Sequence, residues 1–243
     1  MPRERSIETF VLKRQDYGEA DQIITLFSKE EGKVRALVKA SKLPTSKLQP
    51  VLQPLFESRV TLSGGNNRPG LSKVIGAQLV KAYSGILDNE SKLGAWYVAS
   101  EFIIRALPDS APNLSLFQEL QKFANFLHSV DLTADQVKHS ITQFQIKSLA
   151  TLGLGIKTVV VDSTVGSVWF SLSQGGYSLT NFADSVSVSG GSYDAFQKIS
   201  TAEYQVLEPS EYLALEPLHH LVNRFVAYHL EREIKSQKFM SGH

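Results

Sequence analysis

The chain has no cysteine among its 243 residues. That excludes a disulfide, a thiolate nucleophile, and a cysteine-ligated zinc or iron–sulfur centre, and it suits a reducing, cytoplasmic setting. No run approaches the roughly 18 uncharged apolar residues that a membrane span needs, so no membrane partner is expected. The opening MPRERSIETF lacks the apolar core of a signal peptide. HExxH, GxSxG, Walker and dinucleotide-binding patterns are absent. His219 and His220 are adjacent, His229 follows nine residues on, and His128 and His139 fall in different helical segments, so no pair has metal-ligand spacing. The glycine-rich SGGNNRPG ends without the Lys-Ser/Thr of a phosphate loop and reads as a hairpin turn. These absences point away from an enzyme, with no catalytic residue, no metal and no cofactor expected.

What is present is unevenly distributed. Net charge is only +1, but residues 1–81 carry 14 Lys and Arg against 8 Asp and Glu (+6), and the remainder 11 against 16 (−5). A basic module suited to a polyanion is thus joined to a mildly acidic one. Hydrophobic content of 42% and charged content of 20% are ordinary for a globular chain. The basic third reads as five short strands: IETFVLKRQ, DQIITLFSKE, the segment opening at Gly32, LFESRVTLSGG, and RPGLSKVIGAQLV entered through Pro69-Gly70. Five strands in about 80 residues fit a small OB-type or SH3-like barrel, which periodicity does not separate.

Beyond residue 82 the period becomes helical. One helix runs through NESKLGAWYVASEFIIRALPDSAP, capped by Asn89 or Ser91 and ended by Pro108; a second follows Asn113 or Ser115. A third begins at Thr133, whose pairing with Gln136 has capping-box form, and stops near Gly153 and Gly155. Residues 156–191, rich in Val, Ser, Thr and Gly, read as short antiparallel strands turning at Gly175-Gly176. Two further helices follow, the last expected to carry Pro217 in its first turn. The expected architecture is multidomain α+β: an OB-type barrel over 1–82, then a helical bundle over 83–243 interrupted by a β-rich insert at about 156–191.

Within the barrel, GKVRALVKASKLPTSKL alternates apolar and cationic residues. On a strand, Val34, Ala36 and Val38 share one face and Lys33, Arg35, Leu37 and Lys39 the other. Such a face is either solvated, an edge protected by lysines, or a polyanion track. Lys42 and Lys47 in the adjoining loop, and Lys13 and Arg14 in the first strand, would extend a track. Tyr17, Phe27 and Phe56 are stacking candidates, the two phenylalanines also suiting a core. Glu19 and Asp21 suit a turn anchored by backbone N–H groups better than a metal-dependent nuclease. Trp96 and Phe102, with Arg105 or Arg224 as a nearby cation, would line an apolar groove for a partner's acidic tail if they were not core.

The run VLKRQDYGEADQIITLFSKEEGKVRALVKASKLPTSKLQPVLQP resembles the N-terminal region of RecO-type recombinational-repair proteins. The matching pieces are Tyr17-Gly18-Glu19-Ala20-Asp21, LFSKEEGKVRALVKA, Ser46-Lys47-Leu48 and Leu52-Gln53-Pro54. The closing LEREIKSQKFM is similar to the end of that family's last helix. The resemblance implies an OB-fold and a helical domain, and binding of single- and double-stranded DNA with annealing of complementary strands. It also implies action with RecR, contact with the C-terminal tail of single-strand-binding protein, indirect help to RecA, and a bacterial cytoplasmic location associated with the nucleoid during repair. Two features depart from the family pattern. The four-cysteine zinc element of many relatives is replaced by the cysteine-free insert, which must then hold itself through packing of Trp169, Phe170 and Tyr177. Ala40 also stands where relatives usually have glycine. A protein-only adaptor, its barrel binding a peptide instead of DNA, is the rival reading.

Overall fold

The computed structural model describes residues 4–64, 71–160, 166–207, 209–230, 234 and 236. Gly65, the Pro69-Gly70 turn and the closing segment, apart from Leu230, Ile234 and Ser236, lie outside the described residues. The chain divides into two compact units, Met1–Asp88 with Ser100–Phe117, and Asn89–Ala99 with Gln118–His243.

The first unit holds the five expected strands: β1 (Glu4–Tyr17), β2 (Asp21–Ser28), β3 (Gly32–Val38), β4 (Phe56–Ser63) and β5 (Ser72–Ala82). They close a barrel in the order β1-β2-β3-β5-β4. Alternation fills it: Ile7, Val11, Ile24, Leu26, Val34, Ala36, Val38, Val60, Leu62 and Val74 are buried inside, with Leu52 closing one end. Each fully buried side chain of this kind contributes about 1.5–3 kcal/mol. Part of the barrel's outer surface is covered too. Phe10 and Phe27, opposite each other in the β1–β2 register, lie 5.3 and 5.6 Å ring to ring from Phe117.

Helix α1 (Glu90–Ala106) starts at Asn89, whose side chain accepts the Lys92 N–H at 3.0 Å. In α2 (Leu114–Ser129), Asn113 does the same for Leu116 at 2.9 Å. α3 (Ala134–Thr151) has both halves of the Thr133/Gln136 capping box. In the second unit Lys92 is buried, and its Nζ donates to the Val130 carbonyl at 2.7 Å, just past the end of α2. A cation there offsets the negative end of the helix dipole.

The insert is a three-stranded sheet, β6 (Ser167–Ser171), β7 (Gly176–Ser178) and β8 (Val186–Ser189), ordered β7-β6-β8. It turns at the expected Gly175-Gly176. A Cβ on Gly176 would stand 2.5 Å from both Lys157 N and O, so glycine lets the two backbones meet. Phe170 and Tyr177 pack the sheet through edge contacts with each other and with Phe225 and Tyr193, on α5 (Pro209–His229) and α4 (Gly190–Thr201) respectively. Trp169 lies on the opposite, half-exposed side of the sheet. Helix α5 starts eight residues before Pro217, so that proline sits inside the helix and not in its first turn. Burial of Leu218, Leu221, Val222 and Phe225 outweighs the one hydrogen bond that an interior proline lacks.

Candidate nucleic-acid interface

The register of β1, β2 and β3 sets the outer face of the barrel row by row. Lys13 pairs with Thr25 and Thr25 with Arg35; Gln15 pairs with Ile23 and Ile23 with Leu37. The parallel β3–β5 pairing then places Lys73 beside Leu37. Paired residues lie on one face, so Lys13 and Arg35 stand two strands, about 10 Å, apart. Lys13, Arg35, Lys39 and Lys73 are exposed, while Thr25, Ile23 and Leu37 are half-buried between them. Tyr17, 55% exposed, lies at the end of this surface. The result is an apolar strip bordered by cations, on which a base can rest while its phosphates meet ammonium or guanidinium groups.

The register therefore brings Lys13 and Arg35 to one side, and Lys39 is exposed in the turn that follows β3. Lys73 is the member that sequence reasoning missed. Its signal was the alternation of exposed Lys73 with buried Ser72 and Val74, but the parallel pairing that brings it beside β3 carries no local sequence mark.

Lys33 departs from the expected track. Its Nζ donates to the carbonyls of Ile104 (2.8 Å) and Leu107 (2.6 Å) and lies 3.3 Å from Asp109. Only 13% of the side chain is exposed. The ammonium closes the C-terminal end of α1 and is not presented to a ligand. The cause is the cover over this half of the face: Lys33 is opposite Phe27, beneath the same 104–117 stretch. Gly32 sits where that stretch approaches most closely; a Cβ there would stand 2.1 Å from the Ala111 carbonyl oxygen, and its φ is +70°.

Arg14 departs as well. It pairs with the buried Ile24, so it projects opposite to Lys13, and its guanidinium donates to Gln22 Oε1, from Nε at 3.1 Å. Burial lowers its pKa, with Asp16 acting the other way. Lys42 is tied to Asp16 at 2.9 Å, and hydrogen bonds from Gln22 and then Lys42 hold the Asp16 carboxyl below its usual value. Lys47 is exposed in the loop that follows. Of the stacking candidates, Phe27 is core, Phe56 is half-buried and Tyr17 is accessible.

Asp21 organises a turn, accepting the Ala40 N–H at 2.7 Å. Among the described residues no three His, Cys, Asp or Glu are grouped to hold a metal. The groove expected around Trp96 and Phe102 does not form there: both are fully buried, because the apolar stripe of α1 is core along its length. Arg105 pairs with Glu101 one turn earlier, and Arg224 is exposed on α5.

Comparison with known proteins agrees along the chain. The family described as "Recombination protein O N terminal" matches residues 1–83, and "Recombination protein O C terminal" matches residues 90–238. The DNA repair protein RecO of Pelotomaculum thermopropionicum is 26% identical over 244 residues, covering 96% of this chain and 92% of its own length. The RecO proteins of Geobacter metallireducens (38% over 116 residues) and Shouchella clausii (42% over 113 residues) match 48% and 46% of this chain. Those two alignments span 46% and 43% of the relatives' own lengths.

Proposed function

The chain belongs to the RecO family of DNA repair proteins, and from that premise we propose that its barrel binds single-stranded DNA across the open half of the β1–β2–β3 face. Lys13, Arg35, Lys39 and Lys73 are the phosphate contacts, with Lys42 and Lys47 at the rim. Tyr17, Ile23 and Leu37 form the apolar bed. The observation that carries this reading is the row Lys13–Thr25–Arg35 beside Gln15–Ile23–Leu37–Lys73.

The work done is annealing without bond chemistry. Two polyanions must approach while their base edges stay free to pair. Contacts confined to phosphate and base faces screen the charge without reading sequence. The same cations hold duplex DNA by its phosphates. In the cell, the protein acts with RecR to help RecA onto DNA coated by single-strand-binding protein, and it holds that protein's C-terminal tail.

The test is a salt titration of fluorescein-labelled oligo-dT binding. Four phosphate contacts give a log–log slope of about −3, from roughly −0.7 per contact on single strands. Replacing Arg35 and Lys39 by alanine should lower the slope by about 1.4 and slow annealing of complementary oligonucleotides. Wild-type slope and affinity in that variant would place the DNA elsewhere.

A further inference from the structure

Strand β5 is eleven residues long, yet β3 pairs with only its first two, Ser72 and Lys73. From Val74 onward β4 alone pairs with it. Among the described residues, no other strand pairs with Val74–Val80. Among the described residues, no turn or loop backbone hydrogen bond reaches Ile75–Val80 either. Apolar groups gather on the same stretch: Ile75, Leu79 and Val80 are 42%, 44% and 49% exposed, and Leu71 precedes them at 42%. Ile75 and Val80 are the extra residues at two irregularities of the β4–β5 ladder, which turn them outward. An edge with spare backbone groups and a run of exposed apolar side chains is a template for another strand.

We infer that the free edge of β5 from Val74 to Val80 is a docking site for an extended, apolar and acidic segment of a protein partner, which joins the barrel as an added strand. Charge selects the occupant. Lys73 and Lys81 bracket the stretch, Lys73 exposed and Lys81 half-buried with its ammonium 4.9 Å from the Tyr83 ring; Arg59, opposite Gln78 on β4, lies 3.9 Å from Glu8. A second copy of the chain fits poorly. Antiparallel self-pairing centred on Ala77 would set Lys73 of one copy against Lys81 of the other, and directly opposed like charges destabilise a sheet. A segment alternating apolar and acidic residues meets the same groups favourably: backbone to backbone, its apolar side chains on the face of Ala77 and Leu79, its carboxylates on the opposite face with Lys73 and Lys81. This surface is additional to the proposed DNA face, with Lys73 at their common border.

The probe is a fluorescein-labelled octapeptide alternating valine with aspartate, titrated into the full chain and followed by anisotropy. Hydrogen exchange locates the bound site. We expect saturable binding, new protection of amides within 74–80, and at least tenfold weaker binding for a backbone N-methylated peptide, for a lysine-for-aspartate peptide, and for Leu79→Asp protein. Leu79→Asp protein should keep wild-type oligo-dT affinity, which separates this inference from the DNA reading and shows that the variant is folded. No anisotropy change, protection elsewhere, equal binding of the N-methylated or lysine peptides, or a dimer of the full chain abolished by Leu79→Asp would each overturn it.

Discussion

Ala40 sits at φ 53°, in the left-handed region where a Cβ meets the following carbonyl. The Asp21 carboxylate accepts its N–H at 2.7 Å and holds the turn after β3 in place. The resemblance to the family implies glycine at this position, and the dihedral is one that glycine adopts without a Cβ clash. Ala40→Gly should stabilise the protein by about 0.5–1 kcal/mol, the relief of left-handed strain less the extra unfolded-state freedom of glycine. A higher urea midpoint at unchanged slope is the expected reading; a lower midpoint would mean that the turn tolerates alanine without strain. Lys33 shows what residue-level reading misses. Alternation assigned it to the outer face, as observed, but alternation says nothing of what lies above that face.

At the scale of elements, periodicity located all five barrel strands and the starts of α1, α2 and α3, because their signals are local: apolar spacing and side-chain caps. It misplaced the start of α5, because Pro217 resembles a first-turn proline while an earlier proline, Pro209, opens the helix. The candidate interface was half legible. The cations of β3 could be read from the chain, whereas the division of the outer face into a covered and an open half depends on Phe117 packing over Phe10 and Phe27. Lys33 belongs to the covered half, so its removal should register as stability and not as DNA affinity. Lys33→Ala leaves the Ile104 and Leu107 carbonyls without their donor, at a cost of about 1–3 kcal/mol. In the salt titration it should retain the wild-type slope. A slope reduced by about 0.7 with unchanged stability would return Lys33 to the DNA track.

For the whole molecule, the division into two units separates two kinds of chemistry. All six histidines and both tryptophans fall in the second unit. His219 is buried between α3 and its own helix, with Thr142 Oγ1 2.7 Å from Nδ1 and Asn223 Nδ2 3.0 Å from Nε2. Burial, and then Lys138, push its pKa down to about 4, against an opposing pull from Glu216. The unfolded chain therefore takes up the proton first as pH falls. Stability is complete above about 6.5, the ordinary histidine value, and declines as pH drops toward about 4. The full loss is roughly 3 kcal/mol. Tryptophan fluorescence reports the second unit alone, so its urea midpoint should fall between pH 7.5 and pH 5, and His219→Gln should flatten that dependence. An unchanged midpoint would show that the ring is protonated without cost in the fold.

Lys33 and Lys92 have one consequence for the protein's electric field. Each ammonium is turned to main-chain carbonyls at or just beyond a helix end. There it keeps its unit charge, which a neutral helix dipole does not cancel at long range, but it is withdrawn from surface contact. An inventory of basic residues therefore overstates the cations that can touch a polyanion, and not the net charge that draws one in.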